Sequence, residues 1–169
     1  MAPLHPDRRA VLALVALAPV WPALAQSAAD RWSDYVNARF GTRLAYPANR
    51  FAADPPPDNG DGLTFRAQDG AVLLVFGQNN ALDETVASLE AGKTDGDYAE
   101  ITYRARGPKW LVLSGFREVE GVRSVFYEKY LFSGQGDVIH TMILTYPEAR
   151  KARYEPIIAR MAGSLRGGE

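Results

Sequence analysis

Trp110-Leu111-Val112-Leu113, Val138-Ile139 and Met142-Ile143-Leu144 are the runs that decide the architecture. Each lies in a stretch rich in β-branched and aromatic residues and bounded by turn residues, which is the signature of a strand. A strand with one wet face alternates apolar and polar side chains. These runs do not alternate, so the strands are expected to be covered on both faces.

The neighbouring sequence extends this into a meander. Ile101 to Ala105 leads through Gly107-Pro108 to Trp110 to Arg117, Glu120-Gly121 turns into Val122 to Phe132, and Ser133-Gly134-Gln135-Gly136 turns into Val138 to Tyr146. Upstream, Asp69-Gly70 separates Leu63 to Ala67 from Ala71 to Phe76, a strong hairpin signal. Thr42 to Tyr46 reads as a further strand stopped by Pro47. Ala52 to Gly62 contains Pro55-Pro56-Pro57 and Asp58-Asn59-Gly60-Asp61-Gly62. Proline donates no ladder hydrogen bond, so this segment is read as a surface loop and not as a central strand.

Three helices are expected as covers. Trp32, Tyr35, Val36 and Arg39 follow i, i+3, i+4, i+7 after Asp30, with Gly41 as the stop. Asn80 precedes Leu82, Val86 and Leu89, and Gly92 ends that pattern. Tyr154, Ile157, Ile158, Met161 and Leu165 form the apolar face of a last helix after Pro147, with Pro156 marking a kink or the true start. The expected fold is α+β, a three-layer α/β/α sandwich with a mainly antiparallel sheet of six or seven strands, in one domain over residues 30–166.

This order of elements, with Tyr46-Pro47 and Tyr146-Pro147 as punctuation, resembles the PsbP/Mog1-like fold. The resemblance implies a non-enzymatic binding or assembly factor. It carries over no site residue, because no diagnostic motif accompanies it. The export-type start and Trp32-x-x-Tyr35 also resemble exported proteins of alphaproteobacterial type.

Residues 1–25 read as a cleaved secretory signal. Arg8 and Arg9 supply the positive start, Ala10 to Ala18 the apolar run, and Ala23-Leu24-Ala25 a small-x-small site before Gln26. Asp7-Arg8-Arg9-Ala10-Val11-Leu12 also resembles the core of a twin-arginine export signal. Cleavage between Ala25 and Gln26 would leave a short exposed tail, 26–29, and a periplasmic or secreted domain. About 140 residues then remain, enough to bury a core. The chain carries a formal charge of −1 and no cysteine. Loss of the leader moves the charge to about −2. The balance argues against a nucleic-acid partner, and the composition removes disulfides, thiol catalysis and Cys-based metal sites.

No catalytic, cofactor or metal site emerges from the motifs. His140 is the only histidine after the leader and lies in phase with Val138, Met142 and Leu144, the setting of a satisfied core imidazole. The Asp58 to Gly62 loop lacks EF-hand spacing and is explained by turn chemistry. Gly134-x-Gly136 joins two strands and is a turn, not a phosphate loop. What is left is a mix of Arg104, Arg106, Lys109, Arg117, Arg123 and Lys129 with Tyr103, Tyr127 and Tyr130. Arg and Tyr are enriched where interfaces hold most of their energy. Arg104, Arg123 and Tyr127 are therefore the partner-binding candidates, for an unspecified protein or envelope component. A small-ligand or weak hydrolytic site between the 52–62 loop and the meander is the competing expectation.

Overall fold

The computed structural model describes residues 29–93 and 100–168. Their elements run β1 (Trp32–Val36), β2 (Arg43–Pro47), β3 (Ala52–Ala53), β4 (Gly62–Arg66), β5 (Val72–Asn79), α1 (Val86–Gly92), β6 (Glu100–Gly107), β7 (Trp110–Val119), β8 (Val122–Ser133), β9 (Val138–Pro147) and α2 (Lys151–Ser164). Seven strands form an antiparallel sheet ordered β3-β4-β5-β9-β8-β7-β6, and β1 pairs with β2 in a second, two-stranded sheet. The signal-like segment and the Ala25/Gln26 cleavage site lie outside the described residues.

The non-alternating runs have a direct explanation. In β7 to β9 successive residues enter two different cores. Leu111, Leu113, Phe126, Tyr130, Phe132 and Ile139 pack with Leu89 of α1 on one face. Leu73, Val75, Val125, Met142, Leu144 and Tyr146 pack on the other, with Tyr154, Ile157 and Met161 of α2 and Leu44 of β2. The sheet is thus sandwiched as expected. The β1–β2 sheet shares the α2 side, where Phe65 of β4 meets Tyr35 edge-on at 5.6 Å and Tyr46 at 4.5 Å. Tyr146 stacks on Tyr154 at 4.9 Å, and burial raises its phenol to about 12.

Three local expectations are corrected. Asp30 to Arg39 is not a helix: Trp32 pairs with Pro47 and Val36 with Arg43 as antiparallel strands. The helical spacing covers only about two turns, and pairing with β2 outweighs so short a pattern. Gly41, at φ +67°, lies in the bend between these strands. The helical covers among the described residues are therefore two, with the small sheet taking the place of the third.

The middle helix begins later than Asn80. Thr85 is its N-cap: it accepts from the Ser88 amide at 3.1 Å, while Ser88 Oγ accepts from the Thr85 amide at 2.8 Å. Asn80 instead braces the preceding loop, donating to the carbonyls of Glu84 and Gly136 at 2.8 and 2.9 Å. Leu82 is left 83% exposed. The last helix runs through Pro156, which lies among its exposed residues. The carbonyl that proline leaves unpaired is then open to water, so the ring costs little there.

The hairpin at Asp69-Gly70 forms as expected, with Gly70 at φ +88° in the turn. The segment from Ala52 to Gly62 is not loop throughout: Ala52–Ala53 form the edge strand β3 and Gly62 opens β4, with irregular backbone between them.

Candidate functional site: an aromatic groove beside the C-terminal helix

The register of the meander sets Tyr103 of β6 beside Ser114 of β7, Ser114 beside Tyr127 of β8, and Tyr127 beside Leu144 of β9. These side chains share the α2 face. The next row is Ala105, Val112, Lys129 and Met142. Helix α2 crosses above these rows but does not fill the space over the outer strands, because it presents Ala159, Ala162 and Gly163 there. Two depressions result, of about 400 Å³ and 270 Å³, and both are lined by Tyr103, Tyr127 and Ala159. Together they make one groove along α2, from Phe116, Lys151 and Glu155 at one end to Trp110 and Lys129 at the other.

Its walls differ in chemistry. Tyr103 is 54% exposed on the strand that forms one edge of the sheet. Burial, with Tyr103 nearby as a lesser cause, raises the Tyr127 phenol above its ordinary value of 10.0, so that ring stays neutral at physiological pH. Lys129 donates to the Ala162 carbonyl at 2.6 Å, tying β8 to the last turn of α2. Burial, and secondarily Arg166, lowers its ammonium below the usual range. Lys151 and Glu155 pair at 3.6 Å. The groove is an aromatic slot with charge confined to its ends. That composition suits an apolar or aromatic side chain entering between Tyr103 and Tyr127.

The partner-binding candidates from the sequence do not form one surface. Tyr127 is in the groove. Arg123 is beyond its end, stacked on Phe116 at 4.1 Å and paired with Glu100 and Glu148 at 3.1 Å each. Arg104 pairs in register with Leu113 and so projects from the opposite, α1 face. Arg106 and Arg117 are on that face too, paired with Glu90 at 2.8 Å and Glu128 at 3.6 Å. Glu128 also accepts the Tyr130 hydroxyl. The basic and aromatic residues that interleave in sequence are sorted by strand parity onto two sides. Sequence reasoning missed Trp110, Phe116 and Ile158 as groove residues. The signal for the first two was their shared parity with Tyr127 across the turns.

His140 is fully buried. Its Nδ1 lies 2.8 Å from Thr42 Oγ1 and its Nε2 2.7 Å from Ser133 Oγ. A serine–histidine pair at this distance has the outward form of a nucleophile and its base. The third group is a threonine hydroxyl and not a carboxylate, and a β-carbon built on Gly167 would collide with the imidazole. The ring is a spacer locked between the β1–β2 bend, the β8–β9 turn and the tail after α2.

Burial lowers the His140 pKa below its ordinary 6.5. The unfolded chain then binds a proton that the folded chain refuses, in the interval below 6.5. This part of the stability is whole above about pH 6.5 and is lost as pH falls through the interval. In urea titrations, the midpoint is expected to drop on acidification from about pH 7.5 to about pH 5.5, and to drop less in His140→Gln. Equal drops in both proteins would place the acid sensitivity elsewhere.

No protein-family model and no curated protein sequence matches this chain. The chain is similar to the solution structure of cyanobacterial PsbP (CyanoP) from Synechocystis sp. PCC 6803, with a TM-score of 0.49 and 16% identity over 89% of this chain and 100% of that one. It is also similar to a crystal structure from Bacteroides thetaiotaomicron VPI-5482, with a TM-score of 0.47 and 12% identity over 76% of this chain. It spans only 45% of that second chain. Neither likeness assigns a site; the groove is defined by this chain's own residues.

Proposed function

We propose that this protein is an exported, non-catalytic binding domain that captures a protein of the cell envelope by taking an apolar or aromatic side chain into the groove between α2 and β6–β8. One observation carries the reading: Tyr103, half exposed on the edge strand β6, faces the same gap as the partly buried Tyr127. An extended partner segment alongside β6 would gain main-chain hydrogen bonds from the edge and a side-chain pocket from the groove. The signal-like N-terminus supports export, and the element order that resembles PsbP/Mog1-like proteins implies the same class of role.

A photo-reactive phenylalanine analogue at position 103 tests this in intact cells, with position 82 as the exposed control. A discrete cross-linked adduct is expected at 103, absent at 82, and abolished by Tyr127→Ala. The same adducts at both positions, or an adduct indifferent to Tyr127→Ala, would refute the groove as the binding site.

A further inference from the structure

A second concavity lies on the other side of α2, and its chemistry is the reverse of the groove's. Arg50, Arg66, Arg150 and Arg153 line a polar cleft of about 440 Å³ together with Asn49, Gln68 and the carboxylate of Asp69. Three of the four guanidiniums are held in place by carboxylates. Arg50 grips Asp30 through Nε at 2.5 Å and Nη2 at 2.9 Å, and spends Nη1 on the Arg153 carbonyl at 2.6 Å. Arg66 donates to Asp54 through Nε at 2.8 Å, and Arg153 forms an ion pair with Asp69, its Nε 3.1 Å from Oδ2, beside the Tyr154 hydroxyl. Asp69 is itself fixed by the Tyr154 hydroxyl at 2.6 Å.

Anchoring at Nε orients a guanidinium and leaves its two Nη groups to donate. The fourth arginine has no anchor: Arg150, immediately before α2, has no ion-pair or side-chain hydrogen-bond partner among the described residues. Four cations therefore stand against three carboxylates, with the Nη groups of Arg66 and all of Arg150 left to donate. Planar forks of this kind match the oxygens of a phosphate, bidentately and with charge assistance. Asn49, Arg50 and Arg153 continue into an adjoining cleft that also has Ala152, Pro156 and Ile157 on its walls, so the anion's organic body has an apolar surface to rest on.

We infer that this arginine cleft is a binding site for a phosphate monoester, distinct from the aromatic groove. The phosphate is held by Arg66 and Arg150, with Arg50 as a positioning residue through its hold on Asp30 and on the Arg153 carbonyl.

The test uses the purified protein and three probes: inorganic phosphate, glycerol 3-phosphate, and vesicles of phosphatidylcholine with and without phosphatidic acid. Calorimetry or vesicle co-sedimentation reads the affinity. Arg150→Gln and Arg66→Gln alter exposed side chains, so the fold is expected to survive in each. Each is expected to weaken binding about tenfold, the loss of a charge-assisted hydrogen bond. Arg104→Gln, on the opposite face, should leave binding unchanged. Preference for glycerol 3-phosphate assigns a soluble monoester, and preference for phosphatidic acid vesicles assigns a lipid headgroup; both support the site. No saturable binding of any probe, or binding equally weakened by Arg104→Gln, would overturn it. Loss of the cross-link at position 103 leaves this inference standing, because the two concavities share no residue.

Discussion

Phe65→Ala is expected to lower the unfolding free energy by about 3–5 kcal/mol, the cost of deleting a fully buried aromatic ring. The position is exacting because Phe65, 1% exposed, is a central contact between the seven-stranded sheet and the β1–β2 sheet, meeting both Tyr35 and Tyr46. Its removal leaves a cavity between two sheets that share no strand, so neither can close the gap without moving as a unit. Urea denaturation followed by tryptophan fluorescence reads the loss as a lower midpoint. Trp32 in β1, beneath Arg160 of α2 at 3.9 Å, reports the small sheet directly. If the midpoint shifted by less than about 1 kcal/mol equivalent, the small sheet would be an appendage and not part of the core.

Gly115→Ala is expected to detach the groove's outer wall. Gly115 lies in β7 where β6 carries a bulge between Ile101 and Tyr103. A β-carbon there would run into the Glu100 carbonyl, a backbone atom that no rotamer change relieves. Overpacking of this kind costs about 1–3 kcal/mol. The cost falls on an edge, so the response is local: amide exchange should quicken across residues 101–104 while β8 and β9 stay protected. Because Tyr103 rides on that segment, the cross-link at position 103 should disappear as well. Unchanged exchange in β6 would mean that the bulge absorbs the methyl and that the wall is stiffer than its edge position suggests.

The sheet was legible because its strands are long, β-branched and punctuated by glycine turns. Both-sided burial was legible because Trp110 to Leu113 and Met142 to Leu144 do not alternate. The N-terminal hairpin was not. Over five residues, Trp32, Tyr35 and Val36 fit a helical turn as well as a strand, and only β2 decides between them. The start of α1 was displaced because Asn80 and Thr85 both have capping chemistry, and Asn80 uses its amide on the Gly136 turn, a partner remote in sequence.

The candidate sites were harder still. Tyr127 was found by its residue type, but its company is set by cross-strand register, which fixes a face only once turn lengths are known. Arg104 and Arg123 were grouped by proximity along the chain and are separated by parity. The arginine cleft draws Arg50 and Arg66 from one half of the chain and Arg150 and Arg153 from the other, so no local pattern announces it.

The tie between β2 and the tail after α2 sets an order of events during synthesis. Arg43 and Arg166 exchange backbone hydrogen bonds at 2.9 and 3.1 Å, and the Ala45 amide donates to Ser164 Oγ, 119 positions away. The β1–β2 hairpin is thus closed by residues from the far side of α2 in the chain. Until α2 emerges, Leu44 lacks its cover and the sheet lacks its outer layer. Such distant closure folds slowly and leaves apolar surface open in the meantime. That interval ends only when α2 and the tail after it arrive.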